Sequence, residues 1–157
     1  MTTSRRMPLL IATAGAALLF GQKPVPQKVV FVCEHGAAKS VIAAAEFGRM
    51  AKERGLVFDI VSRGTNPDPE IAAGVRQGLN ADGLTVGAAK PVKVTAKDLA
   101  GAAKVVSFGP DLSALLSSGA KALDWSSTPS PGKDYQAARD HIRRQLELLF
   151  VSLRQSN

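Results

Sequence analysis

The chain has 157 residues, 45% of them hydrophobic and 21% charged, with 14 Gly and 9 Pro; this is one globular domain's worth of sequence, which excludes a tandem array of domains and wholesale disorder. The formal charge is +7, but Lys and Arg are spread along the whole length and aromatics make up only 5% of residues. No zinc-finger, helix-turn-helix or RNA-recognition pattern occurs, so the basicity points to small anions or acidic partners and not to nucleic acid. A single Cys excludes an intramolecular disulfide and a Cys-based zinc site. No metal-ligand spacing occurs elsewhere, so neither a metal nor a cofactor is expected.

Residues 1–22 carry Arg5 and Arg6, no acid, and an apolar run from Pro8 to Phe20 that closes on Gly21 and Gln22. That order predicts a secretory signal and an exported protein, periplasmic or secreted. The run is shorter than the roughly 20 residues of a membrane span, so contact with a membrane is expected only through an uncleaved N-terminal anchor. Its removal leaves a net charge of +5 on the remainder. Residues 23–27, Lys-Pro-Val-Pro-Gln, read as an extended linker because Pro fixes φ and keeps the preceding residue out of helix. The folded domain then spans 28–157 and is expected to be a monomer.

Within it, Lys28 to Val32 predicts a strand that halts at Cys33, followed by a loop through Ala38 and a helix from Lys39 to Arg54 ended by Gly55. Val41, Ala44, Ala45, Gly48 and Ala51 form the stripe of this helix expected to approach a sheet. Leu56 to Val61 predicts a second strand, Ser62 to Pro69 turns, and Glu70 to Ala81 a helix closed by Asp82-Gly83. Thr95 to Asp98 resembles a capping box opening a short helix, ahead of a strand from Lys104 to Phe108 stopped by Gly109-Pro110. A short helix over Leu112 to Ser118, a strand over Ala120 to Trp125 and a Ser- and Pro-rich loop over Ser126 to Gly132 follow. The last helix is predicted over Lys133 to Arg154, with Ala138, Ile142, Leu146, Leu149 and Leu153 on its inner face. His141, Arg139, Arg143 and Arg144 are expected on a solvated basic face, and Trp125 in the core. Strands alternating with helices predict an α/β fold with a parallel sheet covered on both faces.

In open α/β sheets ligands bind beyond the carboxyl ends of the strands, which is where Cys33 falls. The segment Cys33-Glu34-His35-Gly36-Ala37-Ala38-Lys39-Ser40 places a loop of small residues between a strand and a helix N-terminus. Such a loop can turn several backbone N–H groups inward, and with the helix dipole it forms an anion cradle. A helix N-terminus and a nearby cation also favour the thiolate of a Cys held there. The outcome is a nucleophile beside a phosphate-sized pocket.

The segment resembles the phosphate-binding loop of the low-molecular-weight protein tyrosine phosphatase and arsenate reductase superfamily, Cys-x5-Arg-Ser/Thr. Ser62-Arg63-Gly64-Thr65 is similar to that superfamily's Ser-Ala-Gly-Thr, and the stretches from Lys90 to Phe108 and from Trp125 to the last helix also match, so the resemblance spans about 28–154. It implies a three-layer α/β/α sandwich with a four-stranded parallel sheet in the order 2-1-3-4. It implies Cys33 as the nucleophile that forms a cysteinyl-phosphate, backbone N–H groups of Glu34, His35, Gly36, Ala37, Ala38 and Lys39 as the oxyanion cradle, and Ser40 as hydrogen-bond partner of the thiolate. Two positions depart from the pattern. Lys39 stands where the superfamily has Arg, giving a point charge without the planar fork. Ser130, in Pro129-Ser130-Pro131, stands where it has the general-acid Asp, and Ser cannot serve; His35, Asp124 and Asp134 are the candidate substitutes. Glu34 is expected to point away from the anion. The partner implied is a phosphorylated substrate or a small oxyanion, phosphate or arsenate. The leading reading is a phosphomonoester hydrolase acting on protein phosphotyrosine or small aryl phosphates; the alternatives are arsenate reduction with an external thiol and an oxyanion receptor without turnover.

Overall fold

The computed structural model describes residues 25–155; the predicted signal over 1–22 and the first two linker residues lie outside the described residues. In chain order the elements are β1 (Gln27–Cys33), α1 (Lys39–Glu53), β2 (Phe58–Gly64), α2 (Ala73–Ala81), α3 (Ala96–Leu99), β3 (Lys104–Ser107), β4 (Leu123–Asp124) and α4 (Tyr135–Gln155). The strands form one parallel sheet in the order β2-β1-β3-β4, the central layer of an α/β/α sandwich as predicted.

β1 is central because it is the strand whose every interior position can be buried on both faces. Val29, Val30, Phe31 and Val32 are all fully buried. Alternation sends Val29, Phe31 and Cys33 into the larger core with α1, α2 and α4, and Val30 and Val32 into a smaller one with Val94, Leu99, Val105 and Leu112. In the larger core the Phe47 and Phe150 rings stack at 4.6 Å between centroids, tying α1 to α4. The second face is covered by the single turn of α3 and by irregular chain.

Several boundaries differ from the sequence expectation, each for a local reason. Gln27 pairs with Phe58, so the linker ends one residue earlier than predicted. β2 begins at Phe58, not Leu56, because Leu56 N–H donates to Ala51 and Gly55 N–H to Lys52, the two bonds of a Schellman cap with Gly55 at φ +65°. It continues through Ser62-Arg63-Gly64, whose turn-like composition is overridden by pairing with Phe31, Val32 and Cys33. α2 starts at Ala73 and not Glu70. The predicted helix over 112–118 is one turn, with Leu115 and Leu116 N–H on Leu112 O, since its Ser residues and Gly119 do not propagate a helix. The strand predicted over 120–125 shrinks to two exposed residues at the sheet edge. β3 ends one residue short of Phe108.

α1 buries Ile42, Ala43, Glu46, Phe47 and Met50 besides Val41 and Ala51, a wider face than the predicted small-residue stripe, because it is wedged between the sheet and α4. Glu46 is fully buried and accepts from both Arg49 and Arg143. Asp82 at the end of α2 accepts from Arg139 at 2.8 Å and from the Tyr135 hydroxyl at 2.9 Å. Burial and this carboxylate raise the Tyr135 phenol well above its usual range. Arg139 and Arg143 therefore do not form the expected solvated face: they pin α4 to α1 and α2, and His141 Nε2 is buried. Of that group only Arg144 is exposed. Trp125 is in the core.

Candidate active site

The chain leaves β1 at Cys33 and re-enters regular structure at Lys39, and the loop between is held from one side only. Its carbonyls accept backbone N–H groups of the segment that follows β2: Thr65 N–H on Cys33 O, Asn66 on Glu34, Asp68 on His35 and Ala72 on Ala37, at 2.8 to 3.1 Å. In a planar trans peptide the N–H points opposite to the carbonyl of the preceding residue. The N–H groups of Glu34, His35, Gly36 and Ala38 are therefore turned away from that segment. None of the N–H groups from Glu34 to Lys39 donates to a protein acceptor among the described residues. The α1 N-terminus adds to the set: Ala38 occupies its N-cap, no side chain caps it, and its first turn contains no acid. Unpaired N–H groups at an uncapped helix start form a ready receptor for an oxyanion.

Two glycines make this path possible. Gly36 has φ +59°, and its backbone packs directly on Gly64 at the end of β2. A Cβ on Gly64 would lie 2.6 Å from Gly36 N and 2.8 Å from His35 C, inside any contact real atoms make. Gly64 also takes a bridge from Lys93, donating to Val92 O at 2.9 Å and accepting from Val94 N–H at 2.8 Å. Next to it, Arg63 grips Asp98 at 2.9 Å, and Asp98 closes the predicted capping box with Thr95. Burial alone would raise the Asp98 carboxyl, but hydrogen bonds from Arg63 and Thr95 outweigh it and hold the group below the usual carboxylate range.

Cys33 Sγ is buried and lies 3.1 Å from Ser40 Oγ, itself fully buried. Above the thiol opens a cavity of about 370 Å³. Glu34, His35, Ala38 and Lys39 line it from the loop, Ala72, Gly74 and Val75 from the start of α2, Phe108 from the end of β3, and Ser130, Pro131 and Gly132 from the loop before α4. The structure thus brings Cys33, Lys39 and Ser130 to one pocket across almost 100 residues of sequence. Lys39 makes no ion pair among the described residues. The Ser130 carbonyl accepts from Lys133 and Asp134 N–H, both at 3.1 Å, which fixes this loop at the start of α4. The α2 N-terminus is likewise without a side-chain cap, and since Val75 and Arg76 N–H donate to Ala72 O, the Ala73 and Gly74 N–H groups are the ones left without a protein acceptor among the described residues beside the cavity.

The three candidate proton donors separate. Asp134 spends its carboxylate on Ala137 N–H at the start of α4, 2.9 Å away. Asp124 accepts from Ser126 N–H at 2.8 Å and lines a different depression, beside β4; hydrogen bonds from Ser126 hold its carboxyl below the usual range. Both do turn and helix-start duty away from the thiol. His35 lines the cavity, with Nδ1 3.2 Å from Asp68 Oδ1 and Nε2 3.8 Å from Glu34 Oε2. The Glu34 side chain is two-thirds exposed. Sequence reading missed Asp68 and the cavity walls from α2. Asn66-Pro67-Asp68-Pro69 carries only a turn signal, and nothing local links it to His35.

No protein-family model matches the chain, and no curated protein sequence does. Solved structures do. YfkJ from Bacillus subtilis superposes with a TM-score of 0.69 at 17% identity, covering 87% of this chain and 99% of its own. The low molecular weight protein tyrosine phosphatase SP-PTP from Streptococcus pyogenes gives 0.68 at 18% identity, over 81% and 93%. The thioredoxin-dependent arsenate reductase of Corynebacterium glutamicum gives 0.69 at 25% identity, over 84% of this chain and 64% of that one. The fold is therefore that of the low-molecular-weight phosphatase and arsenate reductase superfamily.

Proposed function

We propose that this chain is a cysteine-dependent phosphatase that hydrolyses phosphomonoesters through a cysteinyl-phosphate intermediate. The observation that carries the reading is the buried Cys33 Sγ on the floor of a cavity, with Ser40 on the sulfur and, among the described residues, no protein acceptor for the N–H groups from Glu34 to Lys39 and no ion-pair partner for Lys39 at the rim. Sulfur attacks phosphorus, the ester oxygen departs with a proton, and water then displaces the thiolate. The N–H groups and Lys39 hold the non-bridging oxygens, where negative charge is greatest in the transition state. Walls of Ala72, Val75, Phe108 and Pro131 suit an apolar leaving group such as an aryl ring.

The test is turnover of para-nitrophenyl phosphate by the purified protein and by Cys33→Ser. Loss in the variant, with the wild-type fold retained by circular dichroism, is the expected result. Equal turnover by both would overturn the reading. One observation favours a second function: the likeness to an arsenate reductase at 25% identity. Arsenate has the shape and charge of phosphate and would be attacked by the same thiolate. With one Cys in the chain, the reducing thiol would be external, and reduction of arsenate by the purified protein with added thiol distinguishes the two. An oxyanion receptor without turnover is the third outcome of the same assays: vanadate or phosphate would raise the melting temperature while neither reaction proceeds. We also place the protein outside the cytoplasm, on Arg5, Arg6 and the apolar run that ends at Phe20. A reporter fused after residue 27 that stayed in the cytoplasm would remove that placement.

A further inference from the structure

Departure of an ester oxygen needs a proton unless the leaving group is activated, and the position from which the superfamily's Asp supplies it is Ser130 here. Among the side chains lining the cavity, imidazole is the type that changes charge between pH 5 and 8, and His35 is the one such group present. Its backbone carbonyl accepts Asp68 N–H at 3.0 Å, and its Nδ1 lies 3.2 Å from the Asp68 carboxylate. Asp68 thus faces Nδ1 as its ion-pair partner when the ring is protonated, and Nε2, 3.8 Å from Glu34 Oε2, is the ring nitrogen that lies beyond hydrogen-bond distance of either carboxylate. A carboxylate beside an imidazole can hold the orientation of the ring.

Resting on the phosphatase reading, we propose that His35 is the proton donor to the leaving group, positioned by Asp68. In the first step the Cys33 thiolate forms the S–P bond, the P–O ester bond breaks, and the departing oxygen takes the proton from Nε2. In the second step neutral Nε2 takes a proton from water as its oxygen attacks phosphorus. The P–S bond breaks, and the thiolate and the imidazolium are both restored. The charged groups facing His35 are Asp68 behind it, Glu34 beside Nε2 at 3.8 Å, and Lys39 and the Cys33 thiolate across the cavity.

The experiment compares phenyl phosphate with 2,4-dinitrophenyl phosphate, whose leaving group needs no proton, for wild type, His35→Gln, Asp68→Asn and Cys33→Ser. Gln keeps the backbone N–H of the cradle and removes the exchangeable proton. General acids contribute about 10² to 10⁴, so His35→Gln is expected to lower the phenyl to dinitrophenyl rate ratio by at least roughly 30-fold and to abolish the basic limb of the kcat/KM pH profile for phenyl phosphate. Asp68→Asn, which can still accept from Nδ1 but carries no charge, is expected to move that limb to lower pH with turnover kept on its acid side. A merely structural Asp68 would lower turnover equally at every pH. An unchanged rate ratio and pH profile in His35→Gln, with Cys33→Ser inactive, overturns the assignment of His35 and leaves the phosphatase reading standing. If wild type hydrolyses neither ester, or Cys33→Ser retains turnover, both fail.

Discussion

A single methyl group at Gly64 tests whether the loop geometry governs anion binding. Its Cβ would sit 2.6 Å from Gly36 N, 2.8 Å from His35 C and 2.9 Å from Gly36 Cα. All three are backbone atoms, so no side chain can swing aside. Restoring ordinary contact at 3.4 Å from 2.6 Å moves the loop by about 0.8 Å, which stretches a 2.9 Å hydrogen bond to roughly 3.7 Å, beyond the useful range. The loop cannot yield easily, because the segment 65–72 holds its carbonyls and the bridge to Lys93 holds Gly64 itself. Overpacking of this kind costs about 1–3 kcal/mol, a fall of roughly 3–12 °C in Tm for a domain of this size. Anion-dependent stabilisation should disappear as well, a contribution worth about 2.7 kcal/mol at a ligand concentration one hundred times Kd. Differential scanning fluorimetry of Gly64→Ala with and without vanadate reads both effects. Gly48→Ala is the control: its Cβ meets only Ile60 Cδ1 at 3.5 Å, and in mid-helix the change should stabilise by up to about 1 kcal/mol. A Gly64→Ala protein with wild-type Tm and a full vanadate shift would refute the argument that this contact sets the cradle.

Lys39→Arg should tighten phosphate or vanadate binding, since the guanidinium offers two parallel donors in place of a point charge, and Lys39→Ala should weaken it by tenfold or more; isothermal titration calorimetry measures both. Asp98→Asn should cost about 1 kcal/mol at pH 7 through the cap and the Arg63 contact. Because the folded carboxyl lies below its unfolded value of about 3.9, that contribution is complete only about a unit above that value, near pH 5, and is lost as pH falls through the folded value. Thermal melts of the two proteins should therefore converge below pH 4. Glu46→Gln removes the buried partner of Arg49 and Arg143. Breaking a fully buried pair costs about 3–5 kcal/mol, but both guanidinium groups are about one-third exposed and can turn to water, so urea denaturation should give a loss on the order of 2 kcal/mol.

The sequence by itself determined what short-range chemistry controls. Five apolar residues in the run from Val29 to Cys33 demand burial on both faces, so the central strand and the place where it stops are legible. Gly36, Lys39 and Ser40 follow at fixed offsets from Cys33, and offsets of a few residues in a strand-loop-helix unit translate directly into a shared site. The spacing of Ala138, Ile142, Leu146, Leu149 and Leu153 does the same for α4, all of whose predicted inner residues are buried. Tertiary structure decided everything that needed two distant segments to meet. Where β2 starts and ends depended on a Schellman cap and on the register against β1, and the short β4 on its place at the sheet edge. Arg139 and Arg143 looked like surface charges because their partners Glu46 and Asp82 lie far away in sequence. The site shows the same division. The cradle's residues were legible, but the N–H groups turn inward only because residues 65–72 take the carbonyls. Ser130 reaches the cavity through the end of the sheet, and His35 meets the Asp68 carboxylate across 33 positions. Periodicity and propensity act within a turn or two of chain, whereas these contacts are set by strand register and by how closely two glycines can approach.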